Sequence, residues 1–172
     1  MEDAMGGDPE PWLRGTHAEV DPVARQVLHA LELTEEDCVR WCGPLTDAEV
    51  NLRPHGLPPV AFHLRHIARS LDRLLTYAAG RELDRAQFGL LEGELEPGAT
   101  RADALDELVA GLRRAARRIR EFSPDQYTES RRVGRAGLPT TVAGLLVHCA
   151  EHTQRHSGQA ITTAKVLLAL RG

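Results

Sequence analysis

The run LLVHCAEHTQRHSGQ, Leu145 to Gln159, decides the fold: it is amphipathic at helical spacing and sets His148, His152 and His156 four residues apart. On an α-helix a step of four advances about 400° and roughly 6 Å, so these residues stack on one slowly drifting face. Adjacent members can share an ion. His148 and His156, roughly 12 Å apart along the axis, cannot, because nitrogen ligands sit about 2.0–2.1 Å from a zinc-like ion. Counted from Leu145 at about 100° per residue, Val142, Cys149, His152 and His156 fall within a sector of about 80°, while His148 lies about 60° to the other side. His152 and His156 are therefore expected to face the interior. Buried imidazoles need partners for their nitrogens, and for a stacked pair one ion satisfies both at once. The helix supplies two ligands, and a third must come from another helix.

Outward from this run the chain reads as further helices. Asp21-Pro22 starts the first, with Asp21 placed to cap free N–H groups and Pro22 where its missing N–H costs nothing. Val20, Val23, Val27, Leu31, Thr34, Cys38 and Trp41 follow at helical spacing, and Gly43-Pro44 is expected to stop the helix through a left-handed glycine cap. Thr46 to Glu49 has capping-box spacing for a short turn. A second helix is expected from about Pro59 to Ala79, with the stripe Val60, Leu64, Ile67, Leu71, Leu74 and Ala78, and Gly80 ending it. Residues 81–99 lack a sustained period and read as a crossing loop. A third helix begins at Thr100 and buries Leu105, Leu108, Val109, Leu112, Ala116 and Ile119 before Ser123-Pro124; its arginines, Arg113 to Arg120, read as a solvated face. A small hairpin is expected around Gly134-Arg135-Ala136-Gly137. The histidine helix starts near Thr140, and Ser157-Gly158 is expected to break it, leaving a short extra C-terminal helix with Ile161, Ala164, Leu167 and Leu168. The fold class is all-α: a four-helix bundle in a single domain over 19–172, preceded by a flexible arm over 1–18.

The bulk properties agree. Of 172 residues 42% are hydrophobic but only 4% aromatic, and the apolar positions are mostly Leu, Ala and Val, which suits packed helices. The formal net charge of −4 gives no support to a nucleic-acid or anionic-membrane partner. No apolar run approaches the ~18 residues of a membrane span, and no secretory leader pattern is evident. Cys38, Cys42 and Cys149 are odd in number and lack framework spacing, so they read as reduced thiols, and the first two as core residues rather than ligands. A cytoplasmic protein is the expectation.

The one concentrated source of a third ligand is His63-Leu64-Arg65-His66 in the second helix. His63 lies close to the apolar stripe and His66 on its flank beside Ser70, Arg73 and Tyr77; helical spacing leaves both open. Zincin chemistry is set aside, because Cys149 and Thr153 stand where the glutamate of HExxH would follow the first histidine. Glu151 reads as the i,i+4 partner of Arg155.

The segments PPVAFHLRHIARSLDRLLTY and LLVHCAEHTQRHSGQAI resemble the two signature segments of the DinB/YfiT-like superfamily of metal-binding helical bundles. The resemblance runs from about Asp21 to Leu170. It implies a metal site of His66, His152 and His156, so that His66 is chosen over His63 and His148 is left out. Where many members have Arg in HRGQ, this chain has Ser157. The resemblance further implies a zinc or nickel ion and a homodimer. Related proteins include transferases and isomerases that use low-molecular-weight thiols.

Three neutral histidines leave a tetrahedral ion one open position, as in catalytic rather than structural zinc sites. A thiol or water entering there would be acidified. The expected function is a metal-dependent enzyme acting on a small molecule, foremost a low-molecular-weight-thiol S-transferase; the alternatives are a metal-dependent hydrolase and a non-catalytic metal-stabilised stress or interaction module. Ser70, Arg73 and Tyr77 are candidates for lining the substrate pocket. Because free histidine titrates near pH 6.5, protons are expected to compete with the metal below about that value.

Overall fold

The computed structural model describes residues 8–171. In chain order the helices and strands are α1 (Pro22–Cys42), α2 (Asp47–Val50), α3 (Val60–Ala78), α4 (Arg85–Glu92), α5 (Arg101–Ile119), β1 (Ser130–Val133), β2 (Leu138–Thr141) and α6 (Val142–Ala169). The four long helices form the bundle, α1 and α3 each packing against both α5 and α6. Each long helix has an apolar stripe too wide to leave in water, and a four-membered ring buries all four stripes in one core. That core contains Leu28, Leu31, Leu64, Ile67, Leu71, Leu108, Leu112, Ile119 and Leu146. Among the described residues no helix is long and apolar enough to cross a membrane.

Local chemistry sets the boundaries. Asp21 accepts from the amides of Val23 and Ala24 at 3.0 and 3.2 Å, with Pro22 in the first turn. Thr46 and Glu49 close a reciprocal capping box on α2, and Thr100 accepts from Asp103 N–H at the start of α5. Gly80 ends α3 in the left-handed region, φ 70°. Gly43 does not behave as expected. Its φ of −57° is right-handed, so Pro44, which has no N–H to extend the ladder, stops α1. The hairpin forms as expected, with Val133 opposite Leu138 across the four-residue turn Gly134 to Gly137.

Two further expectations are corrected. Residues 81–99 contain α4, whose start is fixed by a capping box between Asp84 and Gln87. The same Gln87 side chain donates to Asp72 Oδ2 at 2.5 Å and Thr76 Oγ1 at 3.0 Å, pinning α4 to α3. Nor does Ser157-Gly158 break the last helix; α6 runs 28 residues without interruption and there is no separate C-terminal helix. A glycine inside a helix costs about 1 kcal/mol relative to alanine, and the buried Ala160, Ala164 and Leu167 beyond it outweigh that penalty.

Where α5 crosses α3, Gly111 rests on Ala68 so closely that a Cβ at 111 would lie 2.5 Å from the Ala68 methyl. The arm expected over 1–18 falls partly outside the described residues, at 1–7. From 8 to 18 it lies along α1: Pro11 is buried, Arg14 pairs bidentately with Glu36, and His17 meets Glu32 at 2.5 Å. All three cysteines are buried in the core and free. Of the α5 arginines, Arg113 and Arg120 are exposed, whereas Arg118 reaches Asp72 at 2.8 Å.

Candidate metal centre

Helices α3 and α6 lie side by side, and their facing flanks carry the histidines. His152 and His156 sit at the edge of the α6 stripe, half-buried, with the fully buried positions being Cys149, Thr153 and Ser157. From α3, His66 points into the same space. One ring nitrogen from each of His66, His152 and His156 falls within 4.8 Å of the others. The Nε2 atoms of His66 and His152 stand 3.3 Å apart, about the separation that two ligands at ~2.05 Å keep around a tetrahedral ion. The structure thus gathers the three histidines implied by the sequence resemblance.

The remaining nitrogen of each ring has its own partner. His66 Nδ1 meets Glu94 Oε2 at 2.6 Å; the carboxylate can only accept, so the proton is on Nδ1 and the lone pair on Nε2. His152 Nδ1 lies 3.3 Å from Ser70 Oγ, whose own hydrogen is committed to the His66 carbonyl at 2.5 Å. Ser70 therefore accepts, and His152 too presents a bare Nε2. His156 Nδ1 is 3.0 Å from Nδ1 of His63, a residue only 4% exposed. Phe62 stacks on His66 with ring centroids 5.1 Å apart. Partners of this kind set ring orientation and raise ligand basicity in metal sites.

Two lone pairs facing each other at 3.3 Å repel unless a cation lies between them. Burial, reinforced by the neighbouring imidazoles, lowers His152 to about 4, and burial with His66 and Arg155 nearby does the same to His156, about 4, so both rings are free of protons and open to a metal ion at neutral pH. His63 falls to about 4 for the same reasons, burial first. Convergent, oriented imidazole nitrogens are the donor set of a borderline divalent metal ion, and these residues fit one. Glu94 is itself buried, which alone would raise its pKa, but His66 and Arg73 hold it below the usual carboxylate range.

The other candidate residues are distributed around the site. A cavity of about 340 Å³ opens against His66 and His152 and is bordered by Ser70, Arg73, Tyr77 and His148. Ser70 is thus a partner of a ligand histidine. Arg73 is bound to Glu94 at 2.6 Å, and Tyr77 lines the wall. His148, with its side chain 41% exposed, pairs with Glu151 at 3.2 Å, and Glu151 also bonds Arg155 as its spacing suggested. His63 occupies the far side of His156, towards a separate cavity of about 550 Å³ that none of the three converging histidines lines. Glu94 is the functional residue that sequence reasoning missed. It follows α4, 28 positions from His66, and no spacing rule links the two; the Asp84-x-x-Gln87 capping box was the one local sign that this stretch is structured.

A second group, His17, His29 and Glu32, also brings ligand atoms within 4.8 Å. It does not fit an ion. The Arg120 guanidinium donates to His17 Nδ1 at 3.0 Å, which puts the His17 proton on Nε2, where Glu32 accepts it. No lone pair of His17 remains for a metal.

A helical bundle carrying one small hairpin, with three imidazoles converging between two of its helices, is the class of protein that the fold and the site define. The chain belongs to the DinB superfamily, whose family model matches residues 30–160. A crystal structure of a conserved protein from Enterococcus faecalis has the same fold, with a TM-score of 0.71 over 87% of this chain and 99% of that one at 19% identity. A comparison with the curated proteins gives no match.

Proposed function

We propose that this protein is a metal-dependent enzyme that delivers a low-molecular-weight thiol to an electrophilic small molecule. The observation that carries the reading is the convergence of three imidazoles beside a cavity large enough for a small reactant. His66, His152 and His156 would hold a divalent ion, zinc or nickel in this reading, which would acidify a bound thiol towards thiolate. The chain's own residues do the rest. Glu94 and Ser70 fix the tautomers of His66 and His152, His63 braces His156, and Phe62 covers the His66 ring. The reacting thiol comes from outside the chain, because Cys38, Cys42 and Cys149 all lie buried in the core away from the cavity; burial raises Cys149 to about 12, and the hydrogen bond with Cys42, together with burial, raises Cys38. The reading carries with it a small-molecule substrate, a reducing cytoplasm and a homodimer; light scattering on the purified protein tests the last.

Cobalt in the site gives the test. Adding glutathione, bacillithiol, mycothiol or coenzyme A should change the cobalt absorption, and at least one should conjugate a generic electrophile faster with the loaded wild type than with His156→Ala. If no thiol moves the spectrum or the rate, the transferase reading fails and hydrolysis or a non-catalytic role takes its place.

A further inference from the structure

The cavity against His66 and His152 has a composition that points to its occupant. Its wall away from the histidines is apolar, built from Leu74, Leu83, Phe88 and Leu91, and α4 contributes the last two. Its charged groups do not balance. Arg73 and His66 are both paired with Glu94, and His148 is paired with Glu151. That leaves Arg135, on the turn between β1 and β2, which reaches over the cavity with its guanidinium 5.9 Å from the centre of the Phe88 ring. Among the described residues Arg135 makes no ion pair and no side-chain hydrogen bond. A guanidinium held over an aromatic ring at the mouth of an apolar pocket, with its five donors free, matches a carboxylate bidentately.

We infer that this cavity binds a small carboxylic acid with an apolar body, the carboxylate on Arg135 and the body against Leu74, Leu83 and Phe88, next to the three histidines. The inference rests on the transferase reading in taking that acid to be the acceptor, with an electrophilic centre apart from its carboxylate, such as an activated alkene, where the thiol's sulfur adds to one carbon and its proton to the other. The thiol is a poorer occupant, because the low-molecular-weight thiols are polar along their length and this wall offers them little. At about 340 Å³ the space is at the lower end of the ~300–1,000 Å³ of small-molecule sites and suits a single small ring or branched chain.

Phenylacetate and its neutral isostere phenylacetamide test this by calorimetric titration of the protein as purified. Phenylacetate should bind about tenfold or more tighter than the amide, since a charge-assisted pair outweighs a neutral contact by at least that factor. In Arg135→Gln the preference should disappear, and in Arg135→Lys part of it should remain. Acid and amide binding equally to the wild type, or a preference that survives in Arg135→Gln, overturns the subsite. Binding lost on chelation but kept in Arg135→Gln would place the carboxylate on the ion and also overturn it. A drop in glutathione affinity in Arg135→Gln without any effect on phenylacetate would assign the arginine to the thiol, against the inference. None of these readouts uses turnover. A protein whose cobalt spectrum ignores thiols but which separates acid from amide through Arg135 loses the transferase reading and keeps the subsite; the reverse pattern loses only the subsite.

Discussion

A carboxylate 2.6 Å from His66 Nδ1, itself buried, decides which nitrogen of that ring is turned towards His152 and His156. Glu94→Gln keeps the shape but can present an amide N–H to a ring that needs an acceptor. Metal affinity should fall by about 10–100-fold, read by competition with a chromophoric chelator. The ligands themselves should behave as a set. Purified wild type should hold close to one divalent ion per chain by elemental analysis, His66→Ala, His152→Ala and His156→Ala should lose it, and His148→Ala should keep it. Full metal content in His152→Ala would defeat the assignment. His148 differs from its helical neighbours because its imidazole pairs with Glu151, outside the group of three whose nitrogens converge.

At the scale of elements, two glycines with opposite surroundings give opposite expectations. A methyl at Gly111 would overlap Ala68, so Gly111→Ala should push α5 off α3 and cost about 1–3 kcal/mol in urea unfolding. At Gly158 a methyl meets nothing within 4 Å, and Gly158→Ala should raise stability by about 0.5–1 kcal/mol. The same glycine explains where reading the chain went astray. Ser157-Gly158 looks like a helix stop, but tertiary burial of Ala160 and Ala164 overrides a local penalty of that size. Helices α1, α3, α5 and most of α6 were legible because their stripes are long and bounded by caps, prolines or glycines; angle alone put His152 and His156 together on one side of α6, but they lie half-buried at the edge of the stripe rather than facing the interior, where Cys149, Thr153 and Ser157 are. Choosing His66 over His63 needed the family resemblance, since both lie on α3 within reach of α6: His63 touches His156 and His66 touches His152. Helix α4 was not legible. Its 8 residues bury only Gln87, and a polar side chain that docks by hydrogen bonds leaves no apolar period to detect.

For the molecule as a whole, the lowered pKa values of His63, His152 and His156 set the response to acid. Folding depresses them from 6.5 to about 4, so between those values the unfolded chain binds more protons than the folded one. The stability these neutral imidazoles contribute is complete above about pH 6.5 and lost as pH falls towards 4. The melting temperature of chelated protein should decline through that window. Burial also revises where protons displace the ion. For His152 and His156 competition in the folded state sets in nearer pH 4 than the 6.5 of a free imidazole. Chelator should therefore lower the melting temperature at pH 8 and still do so at pH 5, the gap closing towards pH 4. A gap already absent at pH 6 would mean that these rings titrate as they do in water. Without metal the protein should remain folded at neutral pH, because the bundle core is continuous and does not run through the site.

The three converging donors are all imidazole nitrogens, with neither thiolate nor carboxylate among them. Such a set ranks the divalent ions by the general order of manganese, iron, cobalt, nickel and copper, with zinc after copper, and adds little discrimination of its own. The ion found in any preparation is then a record of what the producing cell had to spare. Protein made in zinc-starved, nickel-fed medium should come out carrying nickel, and the same gene in zinc-rich medium should yield the zinc form.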